Sequence, residues 1–386
     1  MIWKRKTLGD ISLSIQTGPF GSQLHQSDYS DEGTPVVMPK DLVNGTVSEE
    51  SIARVSKEHV ERLGKHKIQE GDILYSRRGD VGRCAFTAER EVGWLCGTGC
   101  LKVRVDKEEA EPKFVFYQLQ KAETIGWVIN HAVGSTMLNL NTSILSAVPV
   151  DIPEIETQRK IVNILAAYDQ LIKNNQKQIK LLEEAAQRLY KEWFVDLRFP
   201  DHEDVAIVDG IPEGWKQGTL GNIAVFKRGK TITKAQVQDG EVPVVAGGLE
   251  PAYYHNKANT VAPVITVSGS GANAGFSRLY NVDVFASDCS FADSETTPYL
   301  FFAYCFLKEN KASLDALQKG AAQPHVYAKD INALELSIPT EDKLSSFCGL
   351  VSTYFEKIRV LQKQIEILSQ ARDRLLPKLM SGEIEV

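Results

Sequence analysis

Residues 177–190 read KQIKLLEEAAQRLY and residues 363–376 read KQIEILSQARDRLL, two amphipathic stretches with identical or similar residues at matching places. The match extends in both directions. GSTMLNLNTSILSAVPVDIP (134–153) aligns with GAAQPHVYAKDINALELSIP (320–339), so that Gly134 meets Gly320 and Pro153 meets Pro339 at an offset of 186. The same offset carries Leu165 to Val351, Tyr168 to Tyr354, Ile172 to Ile358, Ile179 to Ile365, Leu182 to Leu368 and Leu189 to Leu375 without a gap. TLGDI at 7–11 returns as TLGNI at 219–223, an offset of 212, so the second copy is the shorter. A repeat held in register over this length means a duplicated plan: globular domain, long helix, globular domain, long helix.

The helices carry a heptad seam. Ile161, Leu165, Tyr168, Ile172, Asn175, Ile179, Leu182, Ala186, Leu189 and Trp193 recur by alternate steps of four and three, the spacing that keeps one apolar stripe facing a partner helix. Phe347, Val351, Tyr354, Ile358, Leu361, Ile365, Leu368, Arg372, Leu375 and Leu379 repeat it. Each helix should be about 55 Å long, and the second globular domain begins where the first helix ends. A parallel pair would oblige the chain to travel that distance back, so the seams should pair antiparallel. Asn175 admits two readings, a polar contact that fixes register at some cost in stability or a residue facing a partner or solvent.

Short apolar runs bounded by turn residues read as strands: TPVVMP (34–39), DILYS (72–76), CLKVRV (100–105), VPVVAG (242–247), PVITVS (263–268) and DVFAS (283–287). PKFVFYQLQKA (112–122) and TPYLFFAYCFLKEN (297–310) read as helices. The expected fold class is α+β, a tandem duplication of a mixed α/β globular domain followed by a long helix, with the two helices forming an antiparallel coiled coil. The expected segments are the first domain at 1–153, the first helix and linker start at 154–199, the linker and second domain at 200–339, and the second helix and tail at 340–386.

Composition narrows the function. The chain has 386 residues, 43% hydrophobic and 24% charged, and no stretch approaches the roughly 18 apolar residues of a membrane span. The N-terminal MIWKRKTLGD has no apolar core, so no membrane partner and a cytoplasmic location are expected. The cysteines Cys84, Cys96, Cys100, Cys289, Cys305 and Cys348 form neither a disulfide framework nor a CxxC zinc pattern, and should be reduced and packed. The formal net charge of −6 argues against a generic nucleic-acid coat. Residues 1–153 carry 18 Lys and Arg against 20 Asp and Glu, and residues 201–339 carry 11 against 16, with tight basic clusters inside them.

Lys227, Arg228, Lys230 and Lys234 fall within nine residues of FKRGKTITK, among small and hydroxyl residues that can reach phosphate oxygens. The Gly-Lys-Thr it contains lacks the first glycine of a P-loop, Ala224 standing there. The matching first-domain stretch, SIQTGPFGSQLHQSDY (14–29), supplies Thr17, Gly18, Ser22 and Gln23, polar groups and flexible backbone suited to phosphates and base edges. Arg77 and Arg78 follow a strand, with Arg83, Lys102 and Arg104 expected nearby; arginine reads guanine bidentately. For any single arginine the alternative is a solvated turn residue. Gly269, Gly271 and Ala274 in VITVSGSGANAGF (264–276) satisfy a dinucleotide fingerprint, but the FSRLYNVDVFAS that follows is no amphipathic helix, and without a helix N-terminus the pyrophosphate has no seat. Ser268, Ser270 and Asn273 of that loop are expected among the nucleic-acid contacts instead. GxSxG, HExxH and the adenine-methyltransferase (D/N)PP(Y/F) are all absent and the seven histidines are scattered, so no catalytic residue and no metal site is expected.

Taken together, the doubled plan, GDILYSRRGDVGR (71–83), GSTMLNLNTSILSAVPVDIPEIETQRKIVNIL (134–165) and LLPKLMSGEIEV (375–386) resemble the specificity subunit of type I restriction-modification systems across essentially the whole chain. In that family a Glu-Gln pair opens the helix; here Thr157 precedes Gln158, and the second copy has EDKLSSF (341–347). The GAAQPHV of the second copy also lacks the Leu-Asn pair of the first. The resemblance implies that each globular domain is a target recognition domain reading one half of a split double-stranded DNA sequence. It implies that the helices set the spacing and dock two methyltransferase subunits, with restriction/translocase subunits joining them. It implies a non-catalytic chain with no cofactor of its own, S-adenosylmethionine, ATP and Mg2+ being expected on the partner subunits. A net charge of −6 implies weak DNA binding alone, the partners supplying the electrostatic attraction. A different expectation is a coiled-coil adaptor joining two protein-binding domains without DNA.

Overall fold

The computed structural model describes residues 3–134, 137–320 and 324–386, so the parts of the aligned stretches at 135–136 and 321–323 lie outside the described residues. Packing divides the chain into two units, Met1–Ile172 with Ile367–Val386, and Lys173–Glu366. Each long helix is thus shared between units along its length, where the sequence division treats it as one segment.

In the first unit the strands that matter are β1 (Lys4–Thr7), β2 (Ser12–Thr17), β3 (Thr34–Val37), β4 (Ile73–Ser76), β5 (Cys84–Phe86), β6 (Leu95–Cys96), β7 (Cys100–Val105) and β8 (Pro149–Ile152). An antiparallel sheet runs β2-β7-β4-β5. β6 lies parallel to β3, and β1 pairs antiparallel with β8, Lys4 opposite Ile152. The second unit repeats the plan with β9 (Lys216–Thr219), β10 (Lys227–Arg228), β11 (Val242–Val245), β12 (Val264–Ser268), β13 (Ser277–Tyr280), β14 (Phe285–Ala286), β15 (Cys289–Asp293) and β16 (Glu335–Ile338). Its sheet runs β10-β15-β12-β13, β14 lies parallel to β11, and β9 pairs with β16, Lys216 opposite Ile338. The two sequence offsets are therefore the two sides of one strand pair: Lys4 maps to Lys216 by 212, and Ile152 to Ile338 by 186.

The central strands are apolar runs buried on both faces. β4 and β12 are buried throughout: one face packs on α1 or α3 and the other on the β3–β6 or β11–β14 strands. Helix α1 (Pro112–Leu119) starts on a proline, whose missing N–H costs nothing in the first turn, and lies almost wholly buried against the first sheet. Its counterpart in the second unit is α3 (Leu300–Glu309). Between them in sequence lies α2 (Ile155–Tyr190, 36 residues), and α4 (Glu341–Ser381, 41 residues) ends the fold.

Within each unit the long helices run antiparallel. In the first, Lys160 Nζ donates to the Val386 carbonyl at 3.3 Å while Arg372 meets Asp169 at 2.9 Å. In the second, Asn175 Nδ2 donates to Gln364 Oε1 at 3.3 Å, and the Tyr190 and Phe347 rings lie 6.0 Å apart. Partner numbers fall as α2 numbers rise. Ile161, Leu165, Ile172, Val351, Ile358 and Leu361 are buried; Tyr168, Ile179, Leu182, Leu189, Tyr354, Ile365, Leu368 and Leu375 are half-buried. Asn175 is buried and bonded across the pair, so it does not face solvent.

Gln158 is only 1% exposed: its Oε1 accepts from the Glu111 N–H at 2.9 Å and its Nε2 donates to the Pro153 carbonyl at 2.8 Å, pinning the start of α2 to the residue that precedes α1. All the cysteines are free and buried, with burial pushing the thiols of Cys84, Cys96 and Cys289 up to about 12. Among the described residues no helix is long and apolar enough to cross a membrane.

Candidate nucleic-acid interface

Both sheets end in a cluster of loops built on one design. At the end of β2 the Gly18 N–H donates to the Cys100 carbonyl at 2.9 Å, and a Cβ on Gly18 would fall 1.9 Å from the Gly97 carbonyl oxygen. At the end of β10 the Gly229 N–H donates to the Cys289 carbonyl at 2.8 Å, and a Cβ there would fall 2.3 Å from the Ser287 oxygen. Only glycine permits this approach of two backbones. The loop after β4 bridges Arg78 to Asn139; the loop after β12 bridges Ser270 to His325, which is Asn139 shifted by 186. Position by position, Thr17 corresponds to Arg228 and Gln16 to Lys227, while Arg77 and Arg78 correspond to Gly269 and Ser270.

In the first unit the Phe20 N–H donates to Gln23 Oε1 at 3.1 Å, closing the turn after Gly18, and Ser22 stands exposed on it. The Arg77 guanidinium lies 5.9 Å from the centre of the exposed Phe20 ring, a cation–π contact between two of the loops. Among the described residues, Arg77 Nε and Asn139 Oδ1 are buried without a hydrogen-bond partner. Arg78 is exposed, and Arg83 is tied to Asp80 at 3.0 Å. Arg77 and Arg78 thus share the loop cluster with Thr17, Gly18, Ser22 and Gln23.

Lys102 does not join them, which corrects the sequence reading. It is 1% exposed, and its ammonium donates to the Lys67 and Lys65 carbonyls at 2.6 and 3.2 Å. It sits opposite Gln16 as Phe291 sits opposite Lys227, so it fills an interior position of the sheet. Burial lowers its pKa, and the neighbouring Asp72 carboxylate opposes that shift. Arg104 is likewise inward, clamping the buried Asp72 through two bonds of 2.7 Å.

In the second unit Lys227, Arg228, Lys230 and Lys234 are all exposed, and among the described residues none of them forms an ion pair. The Lys230 N–H donates to the Ala286 carbonyl at 2.9 Å, fixing the backbone of the basic loop against the sheet. A shallow cleft beside it is lined by Arg228, Gly269, Asp288, His325 and Tyr327. The hydroxyl and amide residues of the neighbouring loop face inward. Ser268 is 4% exposed and donates to the Gly247 carbonyl at 3.1 Å, so it cannot reach a nucleic acid as the sequence reading expected. Ser270 bonds Asp288, and Asn273 reaches the Gly247 carbonyl at 3.4 Å; both stay half-buried. The glycines of the dinucleotide fingerprint lead into a short turn, Gly271–Asn273, and then β13, with no helix to seat a phosphate. Among the described residues no cluster of His, Cys, Asp and Glu could hold a metal.

His66 was missed by the sequence reading. It is 4% exposed and lies in the loop that receives Lys102. Burial first, then the charges of Lys65 and Lys102, hold its pKa below the ordinary 6.5. A depressed histidine pKa means the unfolded chain takes up the proton first, so its contribution to stability is present above about pH 6.5 and is lost as pH falls below that value through the lower folded-state pKa. His66→Leu should therefore flatten the acid side of the first unit's stability curve, measured by denaturant unfolding between pH 7.5 and 5.5.

Comparison with known proteins places the chain. A family model described as the type I restriction modification DNA specificity domain matches it twice, over residues 2–184 and 212–370. The chain belongs to this family. It is 26% identical over 392 residues to the type I restriction enzyme MjaIX specificity subunit of Methanocaldococcus jannaschii, covering 93% of this chain and 88% of that one. It is 22% identical to the HindI specificity subunit of Haemophilus influenzae, covering 99% of each. The crystal structure of a type I restriction-modification S subunit from M. genitalium shares the fold with a TM-score of 0.60 at 18% identity, over 98% of this chain and 96% of that one.

Proposed function

We propose that this specificity subunit reads a bipartite DNA target, each loop cluster addressing one half-site, and contributes no catalysis of its own. The observation that supports this best is the set of cations on the repeated loop design that form no ion pair among the described residues. In the first unit positive charge stands on the loop after β4, at Arg77 and Arg78; in the second it stands on β10 and the loop beyond, at Lys227, Arg228 and Lys230. One scaffold with its cations on different strands suits two unlike half-sites.

In this reading the long helices set the distance between half-sites. Helices of 36 and 41 residues are about 54 and 62 Å long, more than the roughly 34 Å of one DNA turn. Two methyltransferase subunits would dock on the helices and bring S-adenosylmethionine; restriction/translocase subunits would bring ATP and Mg2+ chemistry. The complex would act on DNA in the cytoplasm. Changing the length of the unspecified spacer in the target by one base pair should abolish specific binding by the assembled complex, because one half-site rotates by about a tenth of a turn and shifts about 3.4 Å. Binding indifferent to spacer length would favour a protein-binding adaptor.

A further inference from the structure

We infer that the Asp169–Arg372 layer selects which helices pair, matching α2 to α4 and disfavouring self-pairing of α2 with α2 or of α4 with α4 between two copies. In the first unit Arg372 Nη1 donates to Asp169 Oδ1 at 2.9 Å, and the Tyr117 hydroxyl of α1 donates to the other carboxylate oxygen at 2.6 Å. Tyr117 is 2% exposed, and the carboxylate and guanidinium are largely covered. One ionic layer thus joins both long helices and the recognition domain.

The duplication supplies the control. Shifted by 186, Asp169 becomes Phe355, and Arg372 is the counterpart of Ala186. Phe355 and Ala186 are 2% and 1% exposed and belong to one apolar core. Phe355 stacks on Phe301 at 4.5 Å and meets the Tyr304 ring edge-on at 5.8 Å. The same junction is therefore ionic in one unit and apolar in the other. An apolar layer suffices for packing here, and a buried ion pair adds little stability over an apolar one while strongly penalising loss of either partner.

That asymmetry acts on the alternatives open to a duplicated chain. If two α2 helices from separate copies paired antiparallel, Asp169 would face Ala186 and lose its cation. If two α4 helices paired, Arg372 would face Phe355. Only the unlike pair satisfies both. The Asn175–Gln364 contact does not discriminate, because Gln178 occupies the position equivalent to Gln364 and would serve Asn175 in a self-pair.

The layer can be redirected in the full chain. Asp169→Arg and Arg372→Asp, made separately, each place like charges together, and each should lower the melting temperature by about 10 °C. Expressed together with different tags, the two variants should form a 1:1 complex of twice the chain mass by exchanging α2–α4 pairs, since the introduced arginine of one chain then meets the introduced aspartate of the other, and native Asp169 meets native Arg372. Asp169→Arg with Arg372→Asp in one chain should restore the wild-type mass and melting temperature. Single variants that melt with the wild type, or co-expressed single variants that stay separate while the double variant is restored, would overturn the inference.

Discussion

Replacing Lys227, Arg228 and Lys230 by glutamate should lower the affinity of the assembled complex for its target by on the order of 100-fold, with recognition of only one half-site lost. The side chains are exposed and form no ion pair among the described residues, so their replacement should leave the fold intact. If each neutralises one phosphate, the slope of log affinity against log salt should fall in magnitude by roughly 2.7, three times about 0.9. Binding measured from 50 to 200 mM salt, on targets altered in one half-site at a time, separates lost attraction from lost reading. Unchanged affinity and slope would remove the basic loop from the interface.

The second large effect concerns packing. Phe347 is fully buried, and its ring meets those of Tyr190, Trp193, Phe194 and Phe302 at centroid distances of 6.0, 5.9, 5.0 and 6.3 Å. It therefore ties α4 to the end of α2 and to α3. Phe347→Ala should cost about 3–5 kcal/mol, a large share of the 5–15 kcal/mol typical of a domain. The second unit should melt well below the first, separating one thermal transition into two, and recognition of its half-site should fail at temperatures where the first still reads. A loss below 1 kcal/mol would mean that the aromatic cluster repacks.

The duplication was legible because both kinds of signal, the heptad seam and the boundary strands, are periodic or repeated. Offsets of 212 and 186 on the two sides of one domain already imply that its ends meet, and Lys4 with Ile152 and Lys216 with Ile338 are those ends. The widths of the helical faces were harder to see. Tyr190 and Phe355 lie beside the seam yet are buried, because a globular domain packs on each helix as well as the partner helix does.

Side-chain direction in the candidate site was only partly legible. Lys102 and Arg104 alternate with Val103 in CLKVRV, a pattern that in a half-exposed strand would put both cations in water. β7 is instead a central strand of its sheet, and the Lys65 and Lys67 carbonyls and Asp72 wait for those charges. Comparison of the copies carried the missing signal: Lys102 occupies the place of Phe291. Ser268 misled for a similar reason, since a hydroxyl at a strand end serves a neighbouring loop as readily as a ligand. The exposed Lys227, Arg228, Lys230 and Lys234 were read correctly as surface cations because no acidic residue stands among them in sequence.

The most direct measurement co-expresses the chain with its methyltransferase subunit and maps methylated adenines across genomic DNA by single-molecule sequencing. The predicted result is a bipartite motif of two unlike half-sites separated by an unspecified spacer of fixed length, losing definition in one half alone when Lys227, Arg228 and Lys230 are reversed. A contiguous motif, a perfect palindrome, or no methylation despite a stable complex would contradict the two-reader account.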